Sequence, residues 1–503
     1  MKTCDVLVIG AGLIGLFTAR NLSRYDLSVT VLEKESDVCT GISKANTGII
    51  YTGYDNKPGS RKSKLCVQAN ADFDRLCRDL SVRFTRPGSL MVSYGPNADR
   101  VLRKKYADGI EGGVKNLSLL SGPEAEAMEP NLKKGITLGL FARDTGTVNP
   151  WELGIAAFEN ARENGVVFRF REKVTGILRD GDTFVVETEK ESYRARALVN
   201  AAGLSSDTVR ELLEKPSVRL FPTAADYILL DRSEGSFVKH IIFHESESGK
   251  GLTLVPTVDG NLMAGPTTRE LSGEEEQLRD LRVTLSGLSE LQALCQEVVP
   301  DLDLSTQIRT FGALRPNPYP VHEEDGRIIR EEKSLKGFIL SEEEGFFSLI
   351  GIKTPGLTFS NELGKVVSEK CAAWLGKEKA LREGFTPVRK APVRVSKLSL
   401  EERASLIGKD PAYGHVICRC MEVTEGEIRD ALRRCPGWQS FLAVPAGDVS
   451  GVQVQEGRSN EIALCEKELL EQLKRRTGVF MGTCQGGRCT GRILKLLTES
   501  HDK

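Results

Sequence analysis

The chain has 503 residues, with 69 Lys and Arg against 70 Asp and Glu and a net charge of −1. That balance removes the electrostatic case for nucleic-acid binding, which needs a surplus of cations against phosphate, but leaves room for a small anionic substrate gripped by one or two local charges. With 40% apolar residues and 49 glycines, the chain is long enough for about three domains and a large core, and reads as a globular α/β enzyme with many tight turns.

The first residues run directly into an apolar strand, with no secretory signal ahead of it. No apolar run reaches the ~20 residues of a membrane span. A cytoplasmic location is expected, with room for a peripheral contact at the inner face of a membrane. Twelve cysteines are scattered along the chain. In a reducing compartment a cysteine cluster signals metal or redox chemistry and not disulfides.

Residues 5–9 (DVLVI) read as a buried strand, residues 10–15 (GAGLIG) as a glycine turn, residues 16–23 as a helix, and residues 28–32 (SVTVL) as a second strand ending in Glu33. This is the dinucleotide-binding βαβ pattern. Gly10 permits the tight turn, Gly12 lets the backbone approach a pyrophosphate, and Gly15 lets helix and strand pack closely. The N–H groups of the helix start, around Leu13 and Ile14, face the anion. Glu33 is placed to accept hydrogen bonds from a ribose diol. The pattern alone does not separate FAD from NAD.

Residues 40–54 lack periodicity at first and are dense in small polar residues, as suits a loop wrapping a cofactor, yet Ile49, Ile50 and Tyr51 are too apolar for a fully exposed one. The fingerprint together with KANTGIIYTGYDNKPGS resembles the D-amino-acid-oxidase-type FAD superfamily. Within it the segment is most similar to glycerol-3-phosphate and L-2-hydroxyglutarate dehydrogenases. Those families usually carry N-S-G-(I/V)-(I/V)-H-(A/S)-G here, and this chain has Tyr51 at the histidine position. The resemblance implies FAD as cofactor, with Lys34, Lys44, Ala45, Asn46, Thr47, Gly48, Val174, Ala202 and Gly203 joining the glycine turn around it, and Tyr51 beside the reacting groups.

The resemblance extends over roughly residues 1–375 and implies a Rossmann-type FAD-binding domain, residues 1–383, with an inserted antiparallel substrate sheet drawn mainly from residues 80–145 and 215–335. Residues 152–164 read as a helix. Residues 166–170, 173–178, 183–187 and 193–195 read as strands, and residues 198–203 as a buried strand ending in a glycine turn. Residues 224–231 and 249–265 alternate apolar and polar, with a hairpin turn at Val258-Asp259-Gly260-Asn261. The family usually shows Gly-Glu-Tyr at the first of these blocks, where this chain has Ala225-Asp226-Tyr227.

Arg315 follows an apolar strand (FGALRP), and its planar, permanently charged fork suits a carboxylate or phosphate. In the family context it is the expected substrate-anion ligand. Residues 350–358 (IGIKTPGLT) place a Pro-Gly turn before a helix over 359–374, and the resemblance implies that Gly356, Leu357 and Thr358 offer this helix start to the flavin. Lys353, just ahead of the turn, is expected to neutralise a substrate anion or the reduced flavin.

Residues 384–410 read as a linker leading to a third domain, residues 411–503. There Cys418 and Cys420 precede a helical stretch at 424–433, and Cys484 and Cys489 precede a closing helix at 490–498. Four thiolates in two close pairs suit zinc or an iron–sulfur cluster, though C-x-C with C-x4-C differs from the C-x2-C pairs of structural zinc sites. The block CRCMEVTEGEI…KRRTGVFMGTCQGGRC resembles the bacterioferritin-associated-ferredoxin-like 2Fe–2S domain, which implies a small α-rich Cys4 iron–sulfur domain. Residues 435–468 do not resemble the family's usual short connection between the cysteine pairs, and AGDVSGVQVQEGRSNE within them has the loop and short-strand character of an insertion. The other eight cysteines read mainly as small core residues.

The leading expectation is an FAD-dependent dehydrogenase oxidising the secondary alcohol of a small anionic substrate. The resemblance favours sn-glycerol 3-phosphate, with electrons leaving through a 2Fe–2S cluster to a partner protein or quinone. The alternatives are a 2-hydroxy acid, an amino or imino acid, and a chain that serves purely in electron transfer. Among the five histidines, His244 and His322 are the candidate bases, with Tyr51 a less usual choice, and His415 is taken as structural.

Overall fold

The computed structural model describes residues 1–246, 251–271, 279–443 and 456–501. The chain divides into two compact units. The first holds Met1–Lys34 with Cys39–Val388, and the second holds Glu35–Val38 with Arg389–Lys503.

The first unit is built on an eight-stranded sheet. Its centre is the parallel set Ser192–Asn200, Lys2–Ile9, Val29–Glu33 and Val167–Phe170. Val6, Leu7 and Val8 are fully buried, as a strand covered on both faces requires. Phe346–Ile350 joins parallel to the end of Ser192–Asn200. The strands Val174–Asp180 and Thr183–Thr188 form the antiparallel meander expected from the sequence. The stretches 193–195 and 198–200, read as separate strands, are one nine-residue strand. Arg196 breaks the apolar run, but it lies toward solvent and pairs with Asp5 at 3.1 Å, so the pairing with Lys2–Ile9 continues past it.

A nine-stranded sheet runs Arg269–Glu270, Thr223–Leu230, Leu262–Ala264, Thr253–Pro256, Ile241–His244, Ser89–Ser93, Leu138–Ala142, Leu117–Ser121, with Gln307–Arg315 also pairing Thr223–Leu230. The hairpin at residues 257–261 forms as the sequence predicts, Leu254 facing Ala264. The sheet departs from the expected antiparallel pattern at one pair: Ile241–His244 lies parallel to Ser89–Ser93. These strands are about 150 residues apart in sequence, so no hairpin constrains their direction. The apolar faces of this sheet pack Leu90, Leu230, Ile242, Leu254 and Leu291 into a second core.

The second unit is mainly helical. A short antiparallel pair, Val416–Cys418 with Val423–Thr424, leads into the helix Glu425–Arg434. Capping boxes open that helix at Thr424 and the preceding Leu400–Lys409 helix at Ser399. The latter occupies ten residues of the stretch read as linker, because the box satisfies N–H groups that a loop would leave to water. Within the departing stretch 435–468 the structure forms the helix Trp438–Ala443 and the first half of the helix Glu456–Thr477, and residues 444–455 of it lie outside the described residues. The longer helix is highly charged but buries Leu469 and Leu473 with Ile428, Leu432 and Ile493. Among the described residues, no helix is long and apolar enough to cross a membrane.

Candidate active site

The glycine turn is sterically committed to its shape. Gly10 has φ +102°, and a Cβ there would sit 2.6 Å from the Ala201 carbonyl oxygen. A Cβ on Gly15 would meet the Gly10 carbonyl oxygen at 2.0 Å. The helix Leu13–Leu22 therefore starts three residues earlier than its apolar run suggests, with Gly12 as an N-cap bearing no side chain. Glu33, buried at the end of its strand, accepts a 2.7 Å hydrogen bond from the Ala11 N–H. The Ser43 hydroxyl accepts from the Leu13 N–H at 3.1 Å, which holds the short turn Ile42–Lys44 over the helix start.

The loop beyond it is fixed locally. The Asn46 side chain accepts from the Gly48 N–H and donates to the Ser43 carbonyl. Gly48 has φ +69°, and a Cβ there would meet the Val148 carbonyl oxygen at 2.3 Å. Ala202 and Gly203 follow directly on Ala201, against which Gly10 packs, and Val174 packs beside the core containing Ile9 and Leu32. Lys34 and Lys44 carry exposed side chains. These features fit a dinucleotide: a side-chain-free turn at a helix N-terminus and a buried carboxylate beside it. The Thr52 hydroxyl, next to Tyr51 in sequence, is buried without a hydrogen-bond partner.

Tyr51 joins this cradle to the remote helix Gly356–Trp374. Its N–H donates to the Thr358 hydroxyl at 3.0 Å, and its carbonyl accepts from the Asn70 amide at 3.1 Å and the Cys66 thiol at 3.4 Å. Its ring stacks near Phe243, with centroids 6.2 Å apart. Burial drives the Tyr51 phenol well above the usual tyrosine range, and the Thr47 hydroxyl and the Arg315 charge offset only part of that. The phenol is therefore a hydrogen-bond donor at neutral pH.

Arg315 ends the strand Gln307–Arg315, opposite Thr223. It is exposed, and no ion pair to it is found among the described residues. The Lys353 Nζ donates to the Asn317 Oδ1 at 2.8 Å. Burial, and then the charges of Arg315 and Lys62, hold Lys353 below the ordinary lysine range. Lys62 is likewise held down, first by burial and also by Arg315, against an opposing pull from Asp55 and Cys66. Burial pushes the neighbouring Tyr227 phenol up to about 12, with Arg315 offsetting part of the rise. The structure thus joins Tyr51, Arg315 and Lys353 in one electrostatic neighbourhood and adds Lys62, which sequence reasoning missed. Its only sequence signal is its spacing of four from Cys66 and eight from Asn70, one helical face.

Neither candidate histidine base belongs to this neighbourhood. His244 packs edge-on against Tyr94, its centroid 5.6 Å away, and burial lowers its pKa with Glu297, Glu245 and Lys133 as its charged neighbours. His322 is exposed on the three-stranded sheet, 3.2 Å from Glu331. His415 pairs with Glu425 at 2.8 Å.

In the second unit the four cysteines singled out from the sequence converge. The Cys420 and Cys484 sulfurs are 3.4 Å apart, and Cys418 and Cys489 share a side-chain hydrogen bond and one buried core. The N–H groups of Arg488 and Gly486 point at the Cys484 sulfur and, with the Cys420 thiol, lower its pKa. Glu422, Phe480 and Gln485 adopt left-handed backbone conformations around these loops, a cost of order 1–3 kcal/mol each that persists where surrounding structure enforces it. A Cβ on Gly482 would meet the Cys420 Cβ at 2.4 Å. Among the described residues, no three or more His, Cys, Asp or Glu side chains are gathered as for a single metal ion. The thiols stand as two contacting pairs, Cys420 with Cys484 and Cys418 with Cys489. Of the remaining cysteines, Cys39, Cys66, Cys77, Cys295, Cys371 and Cys435 are buried and Cys4 is half-buried.

A parallel sheet with a glycine turn at its strand ends, a buried acidic residue beside that turn and Arg315 at a strand end of a second sheet are features of a dinucleotide-dependent oxidoreductase. Comparison with known proteins makes the class specific. The chain belongs to the FAD dependent oxidoreductase (DAO) family, whose profile matches residues 5–370. It is 35% identical over 494 residues, 98% of this chain and 93% of the relative, to a glycerol 3-phosphate dehydrogenase of Caloramator mitchellensis. It is 23% identical to one component of the anaerobic glycerol-3-phosphate dehydrogenase of Escherichia coli K12, over 99% of this chain and 88% of that one. Among solved structures, the L-α-glycerophosphate oxidase of Mycoplasma pneumoniae with FAD bound superposes with a TM-score of 0.69 at 23% identity, covering 78% of this chain and all of that one. That likeness shows the shared fold.

Proposed function

We propose that this FAD-dependent enzyme oxidises the secondary alcohol of sn-glycerol 3-phosphate to dihydroxyacetone phosphate. The observation that carries the reading is the cation set of Arg315, Lys353 and Lys62, in which both lysines have lowered pKa values and none has a carboxylate ion pair among the described residues. Uncompensated cations of this kind call for an anionic ligand. The relatives in Caloramator mitchellensis and Escherichia coli, both named for glycerol 3-phosphate, support the same substrate. An amino acid is less suited, because its ammonium would enter a field already positive.

FAD, when bound, supplies the hydride acceptor. Gly10, Gly12, Leu13, Ile14 and Gly15 would hold its pyrophosphate, Glu33 its ribose, and the 44–48 loop, Ala202, Gly203 and the Gly356–Thr358 turn the rest. The chain's own part is positioning. Arg315 and the two lysines fix the anionic end of the substrate, and Tyr51 donates a hydrogen bond toward the reacting oxygen. Residues 411–503 would form a separate domain in which Cys418, Cys420, Cys484 and Cys489 hold a 2Fe–2S cluster. Such a cluster carries electrons singly, as delivery to an electron-accepting protein or a quinone needs.

Anaerobic titration of the flavin-loaded protein with glycerol 3-phosphate tests the substrate. Bleaching of the flavin band at near-stoichiometric addition is expected. Bleaching only with L-2-hydroxyglutarate or an amino acid would overturn the substrate assignment, and bleaching with none of them would favour a role in electron transfer alone.

A further inference from the structure

Lys62 lies in the first turn of the Arg61–Leu80 helix, a turn that holds Arg61, Lys62 and Lys64 and no acidic residue. Three cations at a helix N-terminus oppose the helix dipole, which favours acids there. Arg61 and Lys64 are exposed and solvated, whereas Lys62 is half-buried. Its position is set by packing: Lys62, Cys66 and Asn70 stand four residues apart on one helical face. Both Cys66 and Asn70 hydrogen-bond the Tyr51 carbonyl. Lys62 therefore sits one turn beyond the contact that anchors Tyr51. Burial pushes the Cys66 thiol up to about 12, and Lys62 pulls it part of the way back, as a neighbouring ammonium would.

Asp55 pulls on Lys62 but forms no ion pair with it. Asp55 is engaged by Lys105 at 2.9 Å, and Lys105 also reaches Glu245 at 3.3 Å. No ion pair to Lys62 is found among the described residues. The fold thus places a half-buried lysine, against the helix dipole, where it adds a third positive charge near Arg315 and Lys353. Two cations suffice to balance a doubly charged group only if both lie directly on it. A third, approaching from a separate helix, favours an anion carrying two charges on one compact group.

We propose that Lys62 is a specificity-determining residue that selects a dianionic oxyanion head group, the phosphate dianion, over a singly charged one. This rests on the substrate reading above in its choice of phosphate, but the charge selection is separable from it.

The test uses the flavin-loaded full-length protein and its Lys62→Met and Lys62→Arg variants. Perturbation of the flavin spectrum by inorganic phosphate, sulfate and the monoanion methanesulfonate gives dissociation constants without turnover. Lys62→Met should weaken phosphate at pH 8 by about tenfold and methanesulfonate far less, and Lys62→Arg should restore most of the loss. The discrimination should fade as the pH falls to the acid side of neutrality, where inorganic phosphate becomes mainly a monoanion. Equal weakening of both anions in Lys62→Met, or none, overturns the proposal. Wild-type protein oxidising L-2-hydroxyglutarate and not glycerol 3-phosphate would remove phosphate as the natural ligand. The charge selection would then stand if Lys62→Met weakens sulfate over methanesulfonate, and fall if it does not.

Discussion

The Tyr51 N–H donates to the Thr358 hydroxyl across 307 residues of sequence, at 3.0 Å. This bond ties the loop that follows the cofactor turn to the first turn of the helix Gly356–Trp374. Thr358 is buried, so Thr358→Val keeps the shape and leaves a backbone donor without its acceptor. Losing such a partner costs about 1–3 kcal/mol. The variant should fold but bind FAD more weakly, which equilibrium dialysis or flavin fluorescence against free FAD would read. Unchanged FAD affinity would mean the tie serves only the apoprotein.

Lys353 and Lys62 set a pH dependence. Burial and the adjacent positive charges both disfavour the ammonium forms, so each lysine loses its proton at lower pH than an ordinary lysine. Anion binding needs the charged forms. KM for glycerol 3-phosphate should therefore be flat near neutrality and rise on the alkaline side, before the ordinary lysine value of 10.5 is reached. Arg315→Leu removes a repulsive charge shared by both lysines. It should raise KM by about tenfold or more and move the alkaline limb to higher pH. A limb that moves to lower pH would contradict this electrostatic grouping.

Much of this arrangement can be read from the chain alone. The alternation of apolar strand, glycine turn and helix around residues 5–33 follows from local sterics, and Arg315 at a strand end follows from the alternating pattern before it. Lys62 is different, because its burial depends on the register of the Arg61–Leu80 helix against Tyr51, and its neighbours Arg61 and Lys64 look the same in sequence. The histidines show the converse. Their scarcity makes His244 and His322 attractive bases, but strand pairing places one beside Tyr94 and the other on an exposed sheet. The Glu456–Thr477 helix is obscured by Gly457, Ser459 and Asn460 at its start, and its buried contacts come from few residues, among them Leu469 and Leu473.

Asp37 offers a stability prediction inside the second unit. It is fully buried and takes hydrogen bonds from Arg475 at 2.6 Å and from two nitrogens of Arg476 at 2.8 and 2.9 Å. Burial alone would raise its pKa, but the two guanidiniums outweigh it and hold the carboxyl below its ordinary value of 3.8. A depressed folded-state pKa gives stability that is present above that ordinary value and lost as pH falls through the lower folded one. Asp37→Ala leaves two buried cations short of a partner and should cost about 3–5 kcal/mol, read as a fall in the thermal midpoint. The acid transition of the variant should also be shallower than that of the wild type.

The cysteine pairs decide between an iron–sulfur cluster, zinc and plain thiols. The Cys420 and Cys484 sulfurs are 3.4 Å apart, and backbone N–H groups are aimed at Cys484. Protein purified without oxygen should contain about two irons and two acid-labile sulfides per chain, with visible absorbance beyond that of flavin. Cys420→Ser and Cys484→Ser should each lose most of the iron while keeping FAD and its reduction by glycerol 3-phosphate, because the flavin cradle lies wholly in the first unit. Transfer to an external one-electron acceptor should fall far more than flavin reduction does. One zinc per chain in place of iron would leave the cysteines a structural role and would require the electrons to leave directly from the flavin.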